Sequence, residues 1–233
     1  VIRHHLLKLN RHWKWLGNSD YGLAALLALL VLYVFFVYPL LGGDAFSGGA
    51  VSISFSLILI AGIVATTHHK AVRLGIFVLA AIAFLTHWFH VFIGGDLAHM
   101  ISATAAILFF SMQIWFLSVR VFAAGKVNVY RIYGAIAVYL LLGILWANAY
   151  VLIYLVNPAA FSFAPGTQAF EPPISEMVYF SFVTLTTIGY GDITAVHPLA
   201  RSLVIQEGLI GQLYPAILLA RLVTQYQSHR HQS

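Results

Sequence analysis

The feature that most limits how this chain can fold is a succession of long apolar runs from which charge is nearly excluded. Five are clear, at about residues 21–41, 51–67, 74–93, 98–119 and 132–156. Each approaches or exceeds the roughly 20 apolar residues that a bilayer-spanning helix needs. A sixth run, residues 199–223, is apolar but contains Gln206, Glu207 and Gln212. Between the fifth and sixth lies a long connection holding a shorter apolar run, residues 174–187. As a helix it would reach about 20 Å, too short for a hydrocarbon core of about 30 Å. The economical expectation is a segment that enters the membrane and returns. Composition agrees: 61% of residues are hydrophobic and 8% charged, where a soluble domain carries about 25% charged residues. There is no cysteine, which excludes a disulfide framework and a thiolate metal site.

The lysines and arginines give an orientation. With the N-terminus inside, Arg3, Lys8, Arg11, Lys14, Lys70, Arg73, Arg120, Lys126, Arg131, Arg221 and Arg230 share one side, and Arg201 alone falls on the other. Asp44, Asp96, Glu171 and Asp192 lie on that outer side. Positive charge marks the cytoplasmic face, so both termini are expected in the cytoplasm of a multi-pass plasma-membrane protein (the inner membrane in a bacterium). Basic residues scattered in short loops report orientation, not nucleic-acid binding. Residues 1–20 form a basic segment with apolar residues at helical spacing, suited to an interfacial helix on anionic lipid or to a tether beneath the membrane domain. It lacks the short apolar core and small-residue site of a cleavable signal. The expected division is residues 1–20, a four-helix domain at 21–127 and a second module at 128–233, with the joint near 124–128.

The stretch "TLTTIGYGD", residues 184–192, interrupts this pattern. Irregular backbone at membrane depth is tolerated only where it is buried in protein or lines water. Pro172 and Pro173 stop any earlier structure, and Ser175 is the expected N-cap of a short inward-running helix. The C-terminal end of that helix, near Thr186, points its partial negative charge at the membrane centre, which favours a cation there. Gly189 and Gly191 take positive φ cheaply, while Ile188 and Tyr190 keep ordinary φ. Such alternation lets successive carbonyls face the same side, as a ligand set for a dehydrated monovalent cation. One chain offers too few oxygens to surround an ion, so several copies must share the axis.

This stretch resembles the selectivity-filter signature of potassium channels, with isoleucine where valine is commonest. The resemblance covers residues 132–223 well, and six spans with a loop between the fifth and sixth match the six-helix channel plan. It implies an all-α integral membrane fold of six transmembrane helices plus a re-entrant pore helix and filter loop, assembled as a homotetramer. It implies K⁺ coordination by the carbonyls of Thr187, Ile188, Gly189 and Tyr190 with the Thr187 hydroxyl at the inner end, Gly191 completing the filter. Asp192, Tyr179 and Thr186 become filter support. The stretch "EGLIGQLYPAILLARLV" is similar to the last helix of small prokaryotic members, and Gly211 falls at the spacing of the family's hinge glycine. Pro215 can kink the same helix. The resemblance also implies K⁺ as the transported ion, passing down its gradient, with no organic cofactor and no enzymatic chemistry expected.

Departures from the family pattern shape further expectations. Voltage-gated relatives carry regularly spaced arginines on the fourth helix, each charge being worth about 2.3 kcal/mol per 100 mV. Here that span holds only Arg120, at its cytoplasmic end, read as an interfacial anchor; little intrinsic voltage dependence is expected. Tyr179 and Phe180 stand where many relatives have tryptophans, and by spacing Tyr179 can bond Asp192. Val183 replaces a glutamate found in some bacterial channels. Only about ten residues follow the last span, so no attached nucleotide- or calcium-sensing domain is expected. Glu207 serves either as a gate or cavity residue or, the preferred reading, as a hydrogen-bonded tie to the pore helix or a neighbour. His87 and His90, three apart beside Trp88, suit a metal pair or a membrane-interface belt, the latter preferred; His68 and His69 are expected to be solvated. The rival functions are a poorly selective monovalent cation channel on the same scaffold, a histidine-based metal or haem protein and a regulatory membrane subunit.

Overall fold

The computed structural model describes residues 19–37, 48–65, 70–123, 129–164 and 174–230. The basic start, His68, His69, Asp44, the joint at 124–128, Glu171, Pro172 and Pro173 lie outside the described residues. Seven α-helices are present among those described. They are α1 (Ser19–Leu32, continued by a π-helical turn Tyr33–Val37), α2 (Gly48–Ala65), α3 (Lys70–Ile93), α4 (Asp96–Val121), α5 (Val129–Val156), α6 (Ile174–Leu185) and α7 (Pro198–Arg230).

Four stretches are long and apolar enough to cross a bilayer: Arg73–Ile93, Asp96–Val121, Val129–Val156 and Pro198–Arg221. The helical stretches Tyr21–Val37 and Gly49–Ala65 are also apolar but shorter. The molecule is therefore a helical, multi-pass membrane protein.

Its centre is α5, whose apolar window is 61% buried, against 11% for α7. The difference arises because α5 packs against α1, α4, α6 and α7. One core runs through Leu26 and Leu30 of α1, Ile58 of α2, Phe109 and Phe110 of α4, Leu141 and Ile144 of α5 and Leu185 of α6. Two small residues let elements approach along this core. Gly134 lies against Val121, and Gly143 against the ring of Phe182, where a Cβ would meet ring atoms at 2.6 Å. The chain leaves α5 at Asn157–Pro158, as expected for a residue pair that cannot continue a helix. Arg120, at the end of α4, donates to the carbonyl of Ala65, the last residue of α2, at 3.3 Å. A cation at a helix C-terminus is favourably placed.

The helical class expected from the sequence holds, with one small addition and one correction. Phe161–Phe163 (β1) pairs antiparallel with Ile193–Ala195 (β2), in the register Phe161↔Ala195, Ser162↔Thr194 and Phe163↔Ile193. Three-residue strands carry too little alternation to announce themselves. Ser175 is not the N-cap of α6. The helix begins at Ile174, and the Ser175 hydroxyl bonds the Glu176 carboxylate at 2.7 Å.

Candidate functional site

The site is built where α6 stops. Its last carbonyls need partners, and the following chain supplies them. The N–H of Thr187 donates to Thr184 O at 2.9 Å, that of Ile188 to Val183 O at 2.9 Å and that of Gly189 to Val183 O at 3.3 Å. The first two bonds, with Thr187 at φ 60°, form a Schellman termination in which Thr187 takes the left-handed position usually held by glycine. The stretch 184–192 therefore begins as the cap of α6. A trans peptide points its N–H opposite to the preceding carbonyl. With these N–H groups turned to α6, the carbonyls of Thr186, Thr187 and Ile188 turn away from it.

Beyond the cap, the sign of φ alternates. Thr187 (60°), Gly189 (60°) and Gly191 (82°) are positive, and Ile188 and Tyr190 are not. The glycines were expected to behave so; Thr187 was not, because a β-branched residue at positive φ is an outlier. The ribbon is open on the side away from α6, with Ile188 54% and Tyr190 70% exposed.

The outer end of the ribbon is pinned by one residue. Asp192 accepts from the Tyr179 hydroxyl at 2.6 Å through Oδ2 and from the Ile193 N–H at 3.0 Å through Oδ1. Its backbone carbonyl accepts from Ala164 N at 2.8 Å, just past β1. The β1–β2 pair thus fastens the exit of the ribbon to the chain leaving α5. Beneath lies an aromatic layer, Tyr150 against Phe161 and Phe180 with centroids 5.7 and 5.1 Å apart. Thr186, whose hydroxyl bonds Phe182 O at 2.6 Å, completes the helix end.

On the inner side, α7 passes close to the end of α6. A Cβ at Gly211 would overlap the Leu185 carbonyl, whereas one at Gly208 would meet nothing within 4 Å. Leu185 O also accepts from the Tyr139 hydroxyl at 3.1 Å. Gly211 is thus a contact glycine. Pro215 lies within α7 and lacks the N–H that would bond the Gly211 carbonyl four residues back, so the two residues weaken the same turn. Glu207 is fully buried, accepting from Tyr150 and facing Ser181. Ser181 and Tyr150 escaped the sequence reading; only their polarity among apolar neighbours marks them.

Among the described residues the histidines do not converge on a metal site. His87 Nε2 is 3.0 Å from the Ser52 hydroxyl. His90 instead stacks on His99, which sequence reasoning did not single out, with centroids 4.3 Å apart and planes at 16°. Face-to-face rings hold their in-plane lone pairs side by side, so they do not meet at one ion. No group of three or more His, Cys, Asp or Glu side chains is placed to hold a metal among the described residues.

Residues 138–228 match the model of a family described as ion channel. The match is to a channel family and not to an enzyme class. The chain is 28% identical over 129 residues to the protein LctB of Bacillus caldotenax, covering 54% of this chain and 93% of that protein. A likeness of the same degree, 28% over 132 residues, extends to LctB of Geobacillus stearothermophilus, covering 55% of this chain and 95% of that protein. The chain is 41% identical over 86 residues to two pore potassium channel c of Oryza sativa subsp. japonica, covering 35% of this chain but 19% of the plant protein. No solved structure matches it significantly. These likenesses support a membrane ion channel.

Proposed function

We propose that this chain assembles as a homotetramer and conducts K⁺ selectively and passively across the plasma membrane, with both termini cytoplasmic. The observation that carries this reading is the backbone of residues 187–191. Its φ alternates in sign, and its first N–H groups are spent on α6. Carbonyls turned from the protein, four copies around one axis, would replace the water of a bare K⁺ ion. Thr187, Ile188, Gly189 and Tyr190 are the ligand residues, with Gly191 completing the ribbon; Asp192, Tyr179 and Thr186 hold it from behind. Gly211 and Pro215 are the place where the inner helix bends. Residues 21–127 form a peripheral four-helix domain that lacks gating charges, so opening depends little on voltage. Residues 128–233 form the pore domain, and the six-span arrangement follows if the two shorter helices also cross.

The test is K⁺ flux from liposomes holding the purified protein, with block by barium. Reversal potentials in mixed K⁺ and Na⁺ separate this reading from the poorly selective cation channel on the same scaffold. A tetramer that passes both ions equally refutes selectivity; no flux at all refutes the channel.

A further inference from the structure

Glu207 sits in a closed set of oxygen contacts whose protons can be counted. Tyr150 Oη lies 2.5 Å from Glu207 Oε2. Glu207 Oε1 lies 2.5 Å from Ser181 Oγ. Ser181 Oγ lies 2.7 Å from the Gly143 carbonyl oxygen. Each of these three oxygen–oxygen contacts needs one proton. A tyrosine and a serine hydroxyl carry one each, and a backbone carbonyl carries none. Two protons are on hand for three bonds, and the third has one possible source, the carboxyl group of Glu207.

We propose that Glu207 is a protonated, neutral carboxylic acid in this arrangement, a positioning residue that closes a hydrogen-bonded chain joining α5, α6 and α7. Tyr150 donates to one carboxyl oxygen, the carboxyl O–H donates to Ser181, and Ser181 donates to Gly143. With a carboxylate, Ser181 has to abandon either Glu207 or Gly143, leaving two acceptor oxygens face to face. Tyr150, Ser181 and Glu207 all have 0% exposure, so the chain is complete within one protomer and has no water to repair it. A buried charge without a cation partner is costly in the membrane, and a carboxylic acid avoids that cost. The titratable groups facing Glu207 are Tyr150 and Tyr139, both on α5; the pore helix contributes Ser181, which does not titrate.

The sign follows from the count. The three helices stay tied while the proton is present, and the tie weakens as pH rises and the proton leaves. The ion-conduction reading gives the tie its use, holding the pore helix against the inner helix, but the protonation state stands or falls without it.

Infrared spectra of the reconstituted wild-type protein, with and without ¹³C-glutamate labelling, test this. The expected result is a carboxylic acid C=O band at neutral pH that shifts on labelling, is lost on alkalinisation and is missing in Glu207→Gln. Glutamine can accept from Tyr150 and donate to Ser181, so Glu207→Gln melts at the same temperature at neutral and alkaline pH, while wild type melts lower at alkaline pH. A labelled wild type without that band at neutral pH overturns the proposal, even if the variant does not fold. So does an alkaline loss of stability of equal size in Glu207→Gln. Neither readout requires conduction, so failure here differs from failure of the channel reading.

Discussion

The Tyr179 hydroxyl reaches from the middle of α6 to the carboxylate of Asp192, 13 residues on, across 2.6 Å. This bond fixes the outer end of the glycine-spaced ribbon to the element that precedes it. A hydrogen bond to a charged acceptor contributes about 1.5–3 kcal/mol. Tyr179→Phe is expected to loosen the ribbon and reduce the preference for K⁺ over Na⁺. Reversal potentials in mixed salt measure it, and an unchanged value would remove Tyr179 from the supporting set.

Gly211 and Gly208 lie one turn apart on α7 but differ in surroundings. A methyl group at 211 runs into the Leu185 carbonyl, while one at 208 meets nothing within 4 Å of its own chain. Overpacking of this kind costs about 1–3 kcal/mol. Gly211→Ala should lower the melting temperature in detergent, and Gly208→Ala should leave the fold of the protomer intact. Equal effects of the two would contradict the close approach of α6 and α7.

Thr187 at φ 60° stores strain that Gly189, at the same angle, does not. The left-handed conformation costs a non-glycine residue about 1–2 kcal/mol. Two opposite outcomes follow. Gly189→Ala should destabilise the assembly and abolish selective flux. Thr187→Gly should raise thermal stability while weakening K⁺ selectivity, because the hydroxyl is lost as the strain is relieved. Melting curves and reversal potentials on the same preparations read both, and a less stable Thr187→Gly variant would show the strain to be unimportant.

Arg120 donates to the carbonyl that ends α2, at 3.3 Å. That places the basic residue of the fourth helix at a structural post. Arg120→Gln should lower stability by about 0.3–1 kcal/mol, the worth of a cation at a helix end, without changing the voltage dependence of current in planar bilayers. A marked change in steepness on this substitution would make Arg120 a gating charge.

Features confined to a few neighbouring residues were readable before the fold. The run 184–192 announces an irregular ribbon after a short helix through its own glycines, and the reach from Tyr179 to Asp192 follows from that helix and the turn after it. Features made by distant segments were not. Glu207 meets Tyr150 and Ser181, 57 and 26 residues away, and no local pattern selects those partners from other buried polar residues. Gly211 reads as a hinge only through the resemblance to the channel family; that it faces the Leu185 carbonyl depends on how α6 lies against α7. The left-handed backbone of Thr187 was not legible, because a β-branched residue type argues against it; the demand of α6 for a left-handed cap prevailed. The β1–β2 pair was invisible because each strand is stable only with the other.

That small ribbon also decides where the molecule tolerates change. With Phe161–Phe163 clamped to Ile193–Ala195 and Ala164 bonded to Asp192, residue 164 is held to the end of the ribbon, while Ile174 opens a helix packed on α5, so the two described residues that flank 165–173 are fixed by separate contacts. Lengthening a loop between fixed ends adds only about 0.6 kcal/mol per doubling. An epitope tag or a fluorescent reporter can therefore be spliced between 165 and 173 with residues 187–191 mechanically insulated from its cargo.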